Sequence, residues 1–141
     1  MEATEATKKD RLSVGMWAAL IILGCFVLFL IPPGGKSIYP VCYFHALTGL
    51  YCPTCGGTRA LYHLLHGHIA KAFANNPLFV ILIPPLLFLG FNEVRYALTG
   101  KKWRIPQPKI GWTWFLLALL ILFGILRNIP VYPFTLLVPP P

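Results

Sequence analysis

Val14–Ile31, VGMWAALIILGCFVLFLI, carries no charge and is closed by Pro32-Pro33. A hydrocarbon core about 30 Å thick takes about 20 helical residues of this kind. The stretch therefore predicts a membrane-crossing helix over 14–31. Lys8, Lys9 and Arg11 precede it, as basic residues precede a secretory signal. The apolar run is longer than a signal core, however, and no small-x-small site stands before Pro32-Pro33-Gly34-Gly35, so a retained helix is expected.

Two further stretches repeat the pattern. PLFVILIPPLLFLGFNEVRYAL predicts a second span over 77–98, with Pro84-Pro85 inside it removing backbone donors and kinking the helix. IGWTWFLLALLILFGIL followed by Arg127 predicts a third over 110–127. Across the 141 residues, hydrophobic side chains make up 57% and charged ones 11%, and the mean hydropathy is +0.68. A water-exposed surface needs more charge than that. The expected fold is an all-α integral membrane protein of one domain, 1–141, with residues 1–12 a disordered tail.

The net charge of +8 does not point to nucleic acid, because the basic residues flank the apolar stretches rather than lining one aromatic-bearing face. Lys8, Lys9 and Arg11 would share one side of the membrane with Arg95, Lys101, Lys102, Arg104 and Lys109. Lys36, Arg59, Lys71 and Arg127 fall on the other. The positive-inside rule then puts the N-terminus in the cytoplasm and the segment 36–76 on the outer face of an inner (plasma) membrane. Within that segment TRALYHLLHG predicts a short interfacial helix over 58–66 ended by Gly67, and HIAKAFANNP a second amphipathic turn before Pro77.

The same segment concentrates the chemistry. Cys25 lies inside the first apolar stretch and behaves there as a small hydrophobe. Cys42, Cys52 and Cys55 share the outer loop with His45, as Cys-x2-His and then Cys-Pro-x-Cys-Gly. Zinc takes four N or S ligands, often as two close pairs, so Cys42, His45, Cys52 and Cys55 form a candidate site. A structural disulfide from Cys42 to Cys52 or Cys55 is a second reading. The third is redox: a Cys-x-x-Cys pair ahead of a helix acidifies its first thiol, and Cys52/Cys55 would then cycle.

Arg59 follows Thr58, a candidate N-cap. A cation at a helix N-terminus opposes the dipole, which makes Arg59 with Thr58 a candidate contact for a lipid headgroup or small anion. His63 and His66 share a helix face and are secondary candidates as ligands or proton carriers, as are Arg127 and Asn128. Only four acidic residues occur, three of them in the first ten positions, which excludes a two-carboxylate mechanism. Neither a Ser-His-Asp arrangement nor a P-loop is present.

CYFHALTGLYCPTCGGTRALYHLLHGHIAKAFANNPL and the later RNIPVYPF resemble a family of small bacterial membrane proteins, the domain-of-unknown-function family 2752. Its pattern is matched at Cys42, Leu47, Thr48, Gly49, Cys52, Pro53, Cys55, Gly56, Thr58, Arg59, Asn76, Pro77, Arg127, Asn128 and Pro130. It includes the Cys42 position and not that of His45. The resemblance implies a helical membrane protein and assigns no activity. The expected function is that of a binding or accessory subunit, with zinc or a disulfide holding the Cys-Pro-x-Cys-Gly loop; a thiol-disulfide protein using Cys52/Cys55 and headgroup or small-molecule binding at Arg59 are the alternatives. The lipid bilayer and a membrane protein or second copy would be its partners, and nucleic acid would not.

Overall fold

A computed structural model describes residues 8–34, 39, 42–100, 103 and 110–139. They form six α-helices: α1 (Lys8–Leu30), α2 (Tyr43–Thr48), α3 (Gly57–Leu65), α4 (Ile69–Asn75), α5 (Pro77–Thr99) and α6 (Ile110–Leu126). A 3-10 turn over Phe134–Leu137 follows. No strand occurs among the described residues, so the all-α expectation holds.

Among the described residues, two helices, not three, are long and apolar enough to cross a membrane. They are α1 and α5, each of 23 residues, about 34 Å at 1.5 Å per residue. Helix α6 is the most apolar of the three, but its 17 residues rise only about 25 Å, short of the hydrocarbon thickness. The 110–127 segment is thus a shorter apolar helix than the other two.

Helix α1 begins at Lys8 rather than near Val14. Lys8, Lys9 and Arg11 are good helix formers, and Ser13 turns its hydroxyl back to the Asp10 carbonyl at 2.9 Å, so polarity ends the apolar run without ending the helix. Residues 8–12, expected in the disordered tail, are helical, and 1–7 lie outside the described residues. Of the outer loop, 36–38 and 40–41 also lie outside them. Helix α5 continues through Pro84 and Pro85 as one element. Its start is an Asn-Pro signature: Asn76 caps, accepting the Phe79 N–H at 3.0 Å, and Pro77 occupies a first-turn position that needs no donor.

Helices α3 and α4 form a hairpin seated on the N-terminal part of α5, while α1 packs along α5 and touches α3. Ala60, Ala72 and Val80 are the buried centre of this junction, with Leu64 and Phe79 packed around them. Helix α3 spans Gly57–Leu65, within a residue of expectation, but its cap is Gly56 and not Thr58, which is exposed on the first turn. The apolar faces of α1, α5 and α6 point outward, with Trp17, Leu87 and Trp114 each more than 60% exposed.

Candidate metal centre

The Cys-Pro-x-Cys-Gly loop is a tight turn. The Cys55 N–H donates to the Cys52 carbonyl at 3.1 Å and the Gly57 N–H to that of Thr54 at 2.9 Å, which folds both cysteines onto one side. Gly56 leaves the turn at φ +79°, a left-handed conformation that favours glycine. A Cβ there would also stand 2.6 Å from the Asn75 carbonyl oxygen. Helix α2 brings in the third cysteine. Gly49 ends α2 at φ 72° with its N–H on the His45 carbonyl, and the chain returns so that Cys42, just ahead of α2, meets Cys52.

The three sulfurs converge. Cys42 Sγ lies 3.4 Å from Cys52 Sγ, and Cys52 Sγ lies 3.0 Å from Cys55 Sγ. All three are within 4.8 Å of one another. No pair is at bonding distance, and all four cysteines are free thiols. The structural disulfide of the second reading is therefore not formed.

Burial pushes the Cys52 thiol up, but hydrogen bonds from Cys55, Thr54 and Cys42 outweigh it and bring it down to about 7. The Thr54 hydroxyl stands 3.2 Å from its sulfur. Burial pushes Cys55 up to about 12, helped by its hydrogen bonds to Cys52 and Cys42. The pair thus keeps its proton on Cys55 and its charge on Cys52.

His45 does not join the sulfurs. Among the described residues, the groups that could share an ion there are the three cysteines. The His45 ring stacks on Tyr51 with centroids 4.4 Å apart, and its Nδ1 lies 3.2 Å from the Leu50 carbonyl oxygen. Stacking against Tyr51, next to Cys52, makes His45 a support for the loop. Arg59 is half-buried on the first turn of α3. His66 stacks on Phe29 of α1 at 4.4 Å while its Nδ1 meets the Tyr62 carbonyl at 2.9 Å. His63 lies edge-on to Tyr62 and His68, and burial, then Lys71, His68 and His66, lower its proton affinity. His66 thus packs α3 against α1, while His63 sits between Tyr62 and His68 at the α3–α4 hairpin.

The turn is held from behind by residues distant in sequence. Asn128 reads the Tyr51 backbone on both sides: Oδ1 accepts the Tyr51 N–H at 2.8 Å and Nδ2 donates to its carbonyl at 2.9 Å. Arg127, fully buried, donates through Nη2 to the Asn75 carbonyl at 2.9 Å and through Nη1 to that of Cys52 at 3.4 Å. Pro53 nestles on Gly124 of α6, where an added Cβ would stand 3.3 Å from the proline ring. Asn76, absent from the sequence candidates, is also fully buried. Its Nδ2 donates to the Pro53 carbonyl at 2.9 Å and to that of Cys55 at 3.1 Å. The Asn-Pro cap pattern was a signal for it, since the same amide that starts α5 also fixes the sulfur turn.

No curated protein and no solved structure matches the chain at a significant level. The sulfur turn, its α3–α4 hairpin and the first half of α5 coincide with one family match, which stops short of Arg127, Asn128 and Pro130. Residues 42–90 match the family model described as "Protein of unknown function (DUF2752)", the family that the Cys-Pro-x-Cys-Gly stretch resembles.

Proposed function

We propose that this is a membrane protein whose Cys42, Cys52 and Cys55 thiolates hold a soft divalent ion, zinc above all, and that the ion-locked loop acts as a binding or accessory surface for a membrane partner or a second copy. The convergence of three sulfurs from two separate segments, none bonded to another, carries the reading. Zinc–sulfur bonds of about 2.3 Å in a tetrahedron place sulfurs about 3.8 Å apart. The observed contacts of 3.0 Å and 3.4 Å, within a spread of 4.8 Å, need only small side-chain rotations to reach it. The fourth position falls to water or to a donor from a partner, as in sites that keep an open position.

Membrane residence is supported by α1 and α5. Only 6% of the most apolar window of α1 and 17% of that of α5 is buried within the chain, so lipid is the natural cover for the rest. With these two spans, the basic residues of the N-terminus and of the segment after α5 share one side, which the positive-inside rule makes cytoplasmic. Arg127 is buried and does not count against this orientation. The sulfur loop then faces outward.

A second reading rests on Cys52 standing between the other two sulfurs, where exchange with an external disulfide, itself reduced to two thiols, would join it to either neighbour. Elemental analysis of the full chain, purified in detergent under reducing conditions, separates the two. The metal reading expects one zinc per chain, lost in Cys55→Ser and in Cys42→Ser. A metal-free parent, with Cys52 trapped in cells as a mixture of reduced and disulfide forms, would favour the redox reading instead.

A further inference from the structure

Arg127 poses a charge problem. Its side chain is fully buried, and a guanidinium does not shed its proton in proteins. Its hydrogen-bond partners are the carbonyl oxygens of Asn75 and Cys52, and its Nε is buried without a partner. The rings of Phe123 and Tyr51 stand 5.5 Å and 5.9 Å from the guanidinium carbon, so one flank of the charge is lined by ring surface rather than water. Among the described residues, no carboxylate holds it. Three of the chain's four acidic residues fall in the first ten positions. The fourth, Glu93, is toward the far end of α5, about 24 Å along the helix from Pro77. An isolated buried cation is expensive unless an anion lies close by. Among the described residues, the sulfur turn is the adjacent group able to become anionic: one carbonyl that Arg127 grips belongs to Cys52 itself.

We infer that Arg127 is the counter-cation of the three-sulfur centre, and that its charge is what allows the part-buried turn to hold a divalent ion on three thiolates. The inference rests on the metal reading above. Thiols lose their protons when they ligate a metal, so three thiolates around a divalent ion leave one net negative charge. The single positive charge of Arg127 cancels it, and metal, ligands and guanidinium together are neutral in a place where net charge is costly. Arg127 touches no ion on this account. It acts through the charge it sets beside Cys52 and through the turn it positions, as outer partners of metal sites commonly do. Arg127 stands 75 positions after Cys52, at the end of α6, which makes that helix, despite its shortness, a working part of the centre: it carries the cation to the sulfurs.

Cobalt(II) is the probe, because its visible spectrum reports tetrahedral thiolate ligation directly. The full chain in detergent is titrated with Co2+ and then displaced with Zn2+, alongside Arg127→Gln, Arg127→Lys and Asn128→Ala, each checked for parental helicity. Asn128→Ala loosens the same turn without touching the charge. The parent and Arg127→Lys are expected to bind Co2+ within a few-fold of each other, and Arg127→Gln about 10–100-fold more weakly, with Asn128→Ala losing far less. Equal losses in Arg127→Gln and Asn128→Ala would reduce Arg127 to packing and overturn the inference, as would an unchanged affinity in Arg127→Gln. A parent that binds neither Co2+ nor Zn2+ would overturn the metal reading itself, and the inference with it.

Discussion

Cys52 is the residue on which the loop's chemistry turns. It touches both other sulfurs, shares a hydrogen bond with the Thr54 hydroxyl, and offers its own carbonyl to Arg127. Its thiol, near 7, is half ionised at neutral pH, while Cys55 at about 12 keeps its proton. In the reduced, metal-free protein, iodoacetamide should alkylate Cys52 with a pH profile centred near 7 and leave Cys55 unmodified through neutral pH, read by mass spectrometry of the peptides. A Cys52 profile centred at the ordinary thiol value of about 8.5 would contradict the hydrogen-bond pattern. Spacing alone pointed to Cys42, Cys52 and Cys55. It could not tell that the His45 ring is committed to Tyr51, because stacking depends on where the chain returns after Gly49. Nor could it show Arg127 and Asn128 closing on the loop from more than seventy residues away.

Among the elements, the boundaries marked by backbone chemistry were legible. Gly67 ends the α3 hairpin arm, Asn76-Pro77 opens α5, and the apolar runs of α5 and α6 match their helices closely. Boundaries inferred from polarity were not, as the early start of α1 shows, and the six residues of α2 are too few to display a period. Thr58 looked like a cap because its hydroxyl type suits one. The turn instead uses Gly56, which alone tolerates the left-handed backbone under the Asn75 carbonyl. Asn76 joins two of these elements, so its loss should be felt twice. Asn76→Ala removes the α5 cap and leaves the carbonyls of Pro53 and Cys55 unpaired. It should destabilise the protein by about 3 kcal/mol, measured by denaturant unfolding in detergent, with a matching loss of metal affinity. A change under about 0.5 kcal/mol, the scale of an ordinary surface substitution, would show that water replaces the amide at no cost.

At the scale of the whole molecule, two long apolar helices frame one small polar centre. The bulk of α1 and α5 faces outward, and three of the four buried polar side chains among the described residues, Asn75, Asn76 and Arg127, gather where α3, α4, α5 and the end of α6 meet, while Asn92 is buried further along α5. That division suits a protein whose lipid-facing body carries a rigid loop at one membrane surface. The proposed orientation has a direct check in single cysteines introduced at exposed positions of a Cys-to-Ser background. A membrane-impermeant maleimide should label Ala70→Cys on intact cells and Lys9→Cys only after permeabilisation. The reverse pattern would place the sulfur loop in the cytoplasm, where the same thiolate site would face a reducing compartment.

The central claim, a divalent ion on Cys42, Cys52 and Cys55, is tested most directly by X-ray absorption at the zinc edge of the purified full chain. The account predicts three sulfur neighbours at about 2.3 Å and one lighter atom at about 2.0 Å, and no bound zinc signal in Cys42→Ser. A shell of nitrogen and oxygen alone, or three sulfurs that persist without Cys42, would contradict it.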